Sequence, residues 1–200
     1  LKRFEKEING KLIVVNAEKE LRPQIESLFL ILENIDEEKL TDDFSIQIGW
    51  SIFYLIKKND EYILQSPDYS KNPFKDITQD LTLALWVQLE QSHFLRKLNI
   101  EGETTKFSDK VIAAKNVLQQ ENIYLQRTSD VEKGDSGWYI GPVNDADDTD
   151  ELEAFYAYQL LKIRPSLIQV LGLPYNYMVV FRNDKIKAVL DENDESLEFG

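Results

Sequence analysis

Phe44-Ser45-Ile46-Gln47-Ile48-Gly49-Trp50-Ser51-Ile52-Phe53-Tyr54-Leu55-Ile56-Lys57-Lys58-Asn59-Asp60-Glu61-Tyr62-Ile63-Leu64 is the stretch on which the reading of the fold turns. Its first part alternates Phe44, Ile46, Ile48 and Trp50 with Ser45, Gln47 and Gly49, the period of two that belongs to a strand with one buried face. Ile52 to Lys58 is apolar on both faces, which predicts a central strand of a sheet. Asn59 and Asp60 tolerate the positive φ of a two-residue turn, so the chain is expected to return through Glu61–Leu64 as a hairpin. Hairpin-linked strands flanked by helical patterns define an α+β chain with mainly antiparallel sheets and packed helices.

Upstream, Lys11–Val15 reads as a short buried strand after the Asn9-Gly10 turn signal. Leu21, Ile25, Leu28, Phe29 and Leu32 then form the stripe of an amphipathic helix, starting near Arg22 with Pro23 in its first turn and ending around Asn34. Downstream, Ser66–Pro73 is a loop. Asp76 with Gln79 has the spacing of a capping box, predicting a helix through Leu81, Leu85, Trp86, Leu89, Phe94 and Leu95 to about Leu98.

Glu101-Gly102-Glu103-Thr104-Thr105 is polar and Gly-bearing, and it predicts a boundary between two consecutive halves, residues 1–102 and 103–200. In the second half, Val111–Leu118 and Ile123–Arg127 read as strand-rich, and Ser136–Ile140 as a turn feeding a strand. Leu152, Phe155, Tyr156, Leu160 and Leu161 have the spacing of a helix. Pro165 opens another, with Gly172 as its stop and Pro174 beyond. Tyr177, Val179 and Phe181 lead through Asn183-Asp184 into Lys185–Leu190, a second hairpin with the same turn pair as the first. One shared dipeptide is far below the self-similarity of a repeat.

Bulk composition narrows function. The chain has 200 residues, 42% hydrophobic and 11% aromatic, enough for a substantial core, and no cysteine. Disulfides, thiolate chemistry and Cys-ligated zinc or iron–sulfur clusters are therefore excluded, and a reducing, cytoplasmic setting is expected. The longest purely apolar run, Ile52–Ile56, is far short of the ~18–20 residues of a membrane-spanning helix. Leu1–Glu7 alternates charge and lacks the apolar centre of a signal peptide. The net charge is −13, divided as −4 over residues 1–100 and −9 over residues 101–200. Such a field repels phosphates and anionic lipid heads, so neither direct nucleic-acid binding nor membrane binding is expected.

Few residues point to catalysis. The single histidine, His93, falls mid-helix with no second His or Cys to build a triad or zinc site, and it reads as a packed or surface residue. Phosphate-loop, dinucleotide, nucleophile-elbow and zinc-protease motifs do not occur, so no enzyme activity and no cofactor are expected. Trp50, Trp86 and Trp138 sit on apolar faces of predicted elements and read as core. Asp145-Ala146-Asp147-Asp148-Thr149-Asp150-Glu151 resembles the start of a calcium loop, but Asp150 replaces the required Gly and Tyr156 the closing Glu. Three readings remain for Asp145, Asp147, Asp148, Asp150 and Glu151. They open a helix whose dipole favours them, they form a decoy for the cationic groove of a basic protein, or they make a weak metal site.

Phe107-Ser108-Asp109-Lys110-Val111-Ile112, Ile123–Arg127, and Asp135-Ser136-Gly137-Trp138 followed by Gly141 and an acidic loop together resemble a bacterial family of domains of unknown function. That family also counts among the immunity proteins of polymorphic toxin systems. Tyr158-Leu160-Leu161, Arg164-Pro165-Ser166-Leu167 and Leu171-Gly172-Leu173-Pro174 extend the resemblance, which covers about residues 107–182. Here Pro142-Val143-Asn144 separates the tryptophan strand from the acidic loop, and the first hundred residues have no counterpart. Residue by residue, Asp135 can cap its own turn, Gly137 permits positive φ and Trp138 anchors the following strand. The resemblance implies a non-enzymatic cytoplasmic immunity protein that binds and neutralises a toxin, and a basic toxin suits the net charge. The alternative is an accessory or regulatory domain that binds a small ligand or a host protein.

Overall fold

The computed structural model describes residues 1–144 and 151–199. The chain divides into two compact units, Leu1–Leu89 and Glu90–Gly200. Each holds a six-stranded sheet, and with the helices this makes the fold α+β.

In the first unit, β1 (Lys2–Ile8) and β2 (Lys11–Ala17) form a hairpin whose turn residues Asn9 and Gly10 take φ of +50° and +70°. The charge alternation of Lys2–Glu7, which suggested no element in the sequence, is the pattern of a solvent-facing edge strand. α1 (Arg22–Glu33) carries Pro23 in its first turn and buries Ile25, Leu28, Phe29 and Leu32, the predicted stripe. β3 (Phe44–Ile48), β4 (Ser51–Lys58) and β5 (Glu61–Pro67) form a meander that contains the expected β4–β5 hairpin, giving the order β1-β2-β5-β4-β3. β2 and β5 pair in parallel, the other neighbours antiparallel. Ile13, Val14 and Val15 are all fully buried, so both faces of β2 are covered.

The helix predicted from Asp76 begins later, as α2 (Thr82–Leu98). Ile77 and Thr78 form a short β6 against Pro67 and Ser66, which commits their backbone to the sheet. Asp76 instead accepts the Asn72 N–H, and the Asp80 carboxylate receives the N–H of Thr82 at 3.0 Å. The division between the units falls inside α2, ahead of the polar Glu101–Thr105 segment.

The second unit contains β7 (Lys110–Ala114), β8 (Asn122–Arg127), β9 (Asp135–Pro142), β10 (Leu152–Tyr156), β11 (Met178–Arg182) and β12 (Lys185–Leu190), in the order β10-β7-β9-β8-β11-β12. Only β7 and β9 run parallel. β7 stops at Ala114, short of the expected Leu118, because Asn116 takes φ +62° and opens a 3-10 turn at Val117–Gln119. Leu152–Leu161 also departs from its reading as one helix. Leu152–Tyr156 pairs residue for residue with Ala114–Lys110, and only Ala157–Gln159 (3-10) and α3 (Leu160–Ile163) are helical. The apolar positions fit the helical period, but pairing with β7 overrides that local pattern. Glu151 therefore precedes a strand, which removes the helix-dipole account of its charge. Asp145, Asp147, Asp148 and Asp150 lie outside the described residues.

Candidate functional site

The Asp135-Ser136-Gly137-Trp138 motif opens β9 and makes a bulge: Lys110 pairs with Asp135, but Ile112 pairs with Tyr139, so two extra residues enter on β9. Each residue type has a local cause. Asp135 Oδ1 accepts the Gly137 N–H at 2.8 Å, an Asx turn. Gly137 takes φ +80°, and a Cβ there would collide with the Thr128 carbonyl. Ser136 Oγ donates to the Lys110 carbonyl at 2.6 Å and accepts the Trp138 N–H. Trp138 is buried, and its indole N–H reaches the Leu171 carbonyl at 3.1 Å.

Behind the motif lies Arg127, at the end of β8 and 1% exposed. Its Nε donates to the Ser136 carbonyl at 3.0 Å, Nη1 to those of Glu103 (2.8 Å) and Leu173 (2.5 Å), and Nη2 to that of Thr104 (3.2 Å). The guanidinium carbon lies 4.4 Å from the Tyr175 ring centroid and 5.7 Å from that of Trp138. Burial pulls the guanidinium below its ordinary value, opposed first by Tyr175 and then by Glu103 and Asp109. Arg127 was read in sequence only as the end of a strand. A signal was present, since Ile123, Leu125 and Arg127 share one parity, and the first two are fully buried.

A second buried cation in this unit, Arg164, follows α3 directly. Its Nε meets Asp184 Oδ1 at 2.6 Å, and its Nη1 donates to the carbonyls of Gln120 (2.8 Å) and Leu118 (3.3 Å). Asp184 also accepts from Ser166 Oγ at 2.8 Å. Its carboxyl is held below the ordinary range, first by Arg164 and then by Ser166. Beside this clamp is a polar depression of about 240 Å³ bordered by Gln120, Glu121, Ile163 and Asn183.

Of the acidic run, Glu151 is described: it is exposed and ion-paired with Lys115, directly before β10. His93 is exposed on α2. Trp50 and Trp138 are core residues as expected, but Trp86 is only partly buried. It lines a groove of about 370 Å³ in the first unit with Pro67, Asp68, Tyr69 and Asp80. Among the described residues no group of three or more His, Asp or Glu is placed to hold a metal ion, and no helix is long and apolar enough to cross a membrane.

Arg127, Trp138 and Ser136 thus form a packed cluster whose polar side-chain atoms bond backbone groups of the same unit. A model of the Imm33-like domain matches residues 90–192, just over half of the chain, and the chain belongs to this immunity-protein family. No curated protein and no solved structure matches it.

Proposed function

We propose that this chain is an immunity protein that neutralises a toxin by binding it, without chemistry of its own. The observation that carries the reading is the Imm33-like match, which begins at residue 90 with the second compact unit. We assign the protective role to that unit and a separate role to residues 1–89. The surplus negative charge, −9 over residues 101–200, supports a cationic toxin as partner. Asp145, Asp147, Asp148, Asp150 and Glu151 would speed its encounter and form ion pairs at the interface. The test is co-expression with the toxin domain encoded by the adjacent reading frame. Protection is expected, with affinity that falls as salt rises. A metabolic enzyme in the neighbouring gene, with no binding to any adjacent toxin domain, overturns the reading.

A second reading concerns the first unit alone. The groove at Trp86 and Tyr69 has the volume of a small-ligand site, and burial raises the Tyr69 phenol well above its ordinary value. A regulatory ligand seated there would quench or shift Trp86 fluorescence, and a metabolite screen giving no such change removes this reading.

A further inference from the structure

We infer that the free edge of β10 is a main-chain docking site, at which an extended cationic segment of the toxin adds a strand to the second sheet. This rests on the immunity reading above and names the surface that performs it.

The two edges of this sheet differ. β12 exposes Lys185 and Lys187, and the chain returns over it: Leu190 bridges Ser196, and the Leu197 N–H reaches the Val189 carbonyl at 2.8 Å. Lysines and a covering segment are the usual defences of a strand edge. β10 has neither. The Glu151 carbonyl accepts from Lys115 and the Ala157 N–H donates to Asp109, so the odd-numbered residues turn their backbone groups toward β7. By the alternation of an antiparallel ladder, Leu152 and Ala154 turn theirs outward. The Tyr156 N–H is taken by Gln159 Oε1 at 2.7 Å, which ends the open edge. Leu152 is 60% exposed and Tyr156 38%, and with exposed Ala154 they stand on one face of the strand. Outward amides beside an exposed apolar row are what strand addition requires, the amides for affinity and the side chains for selectivity.

Charge selects the occupant. β10 is entered through a run of five carboxylates between Asp145 and Glu151 and itself contains Glu153. A second copy would bring another chain of net −13 to this edge, whereas a Lys- or Arg-bearing strand gains from it.

The experiment uses the full chain and the purified toxin domain encoded by the adjacent reading frame. Ala154→Pro removes one outward N–H and leaves the ladder to β7 intact, a position where an edge strand tolerates proline. Ala154→Val keeps the N–H. Binding is expected to weaken on the order of tenfold or more for Ala154→Pro and to stay at the wild-type level for Ala154→Val. In the wild-type complex, hydrogen exchange at the Leu152 and Ala154 amides should slow. Leu152→Lys, which leaves the backbone unaltered, should also weaken binding and serves if the proline variant fails to fold. Wild-type affinity in both Ala154→Pro and Leu152→Lys, with unchanged exchange at these amides, overturns the docking site and leaves the immunity reading standing. Failure of the wild-type chain to bind or protect overturns both. A dimer in sedimentation that Ala154→Pro abolishes replaces the toxin with a second copy and overturns the inference.

Discussion

The two units reach the same order of pairing senses by different threading. Outward from β1 the neighbours run antiparallel, parallel, antiparallel, antiparallel; from β10 they run the same way, with β12 added as one more antiparallel strand. What differs is how polar groups outside the sheets are satisfied. The first unit buries Ser51, Gln65 and Ser66 but no cation, and its loops close with short surface caps such as Asp68 on Ser70 and Asn72 on Phe74. The second buries Arg127 and Arg164, each serving carbonyls from segments far apart in sequence. Where chain between strands is long and irregular, its carbonyls lack ladder partners, and a five-donor guanidinium collects them.

Arg127→Leu breaks this contrast most severely. It strands the carbonyls of Ser136, Glu103, Leu173 and Thr104, and the expected loss is about 3–5 kcal/mol. Hydrogen exchange on the full chain should show protection lost in β8, β9 and β11 but retained in β2, β4 and β5. Arg127→Lys keeps the charge with fewer donors and should recover part of the loss. Equal loss in both units would mean that Arg127 is not a tie internal to the second.

Glycines sharpen the comparison at a smaller scale. Gly137 and Gly10 both take positive φ, +80° and +70°, but a Cβ at 137 meets the Thr128 carbonyl while one at 10 meets nothing within 4 Å. Gly137→Ala should cost about 2–3 kcal/mol, from backbone strain plus displacement of β8 from the bulge. Gly10→Ala carries the conformational part alone, about 1 kcal/mol. Urea denaturation of the two variants measures both, and equal losses would show that the bulge absorbs a methyl group.

Legibility in the sequence follows the same division. The first unit's β4–β5 hairpin, its Asn-Asp turn and the α1 stripe were readable because each rests on a local period or a turn dipeptide. α2 was placed but begun too early, since nothing local shows that Ile77 and Thr78 join β5. β10 was read as helix because Leu152, Phe155, Tyr156, Leu160 and Leu161 follow the helical period and show no strand alternation, Phe155 falling on the opposite face from Leu152 and Tyr156, and only pairing with β7, about forty residues upstream, settles the matter. In the candidate site, the local roles of Asp135, Gly137 and Trp138 could be read from residue type. The partners of Arg127 and Arg164 could not, because they are backbone carbonyls, which carry no sequence signature.

The mildest test compares two aspartates, one from each unit. Asp184 is held below its ordinary value by Arg164 and Ser166, some twenty residues away, and Asp68 first by Ser70, two residues away, and Lys71. A depressed carboxyl contributes stability above its unfolded pKa and loses it as pH falls through the folded value, so both effects are complete at neutral pH and vanish below pH ~4. Asp184 is 60% exposed, so screening keeps the effect small, and Asp184→Asn should lower Tm by about 1–3 °C at neutral pH. That gap should close as pH drops below ~4. Asp68→Asn, which frees only its own turn, should shift Tm less. If the two substitutions move Tm equally across the acid range, the long-range clamp at Arg164 adds nothing beyond a local cap, and the contrast between the units rests on Arg127 alone.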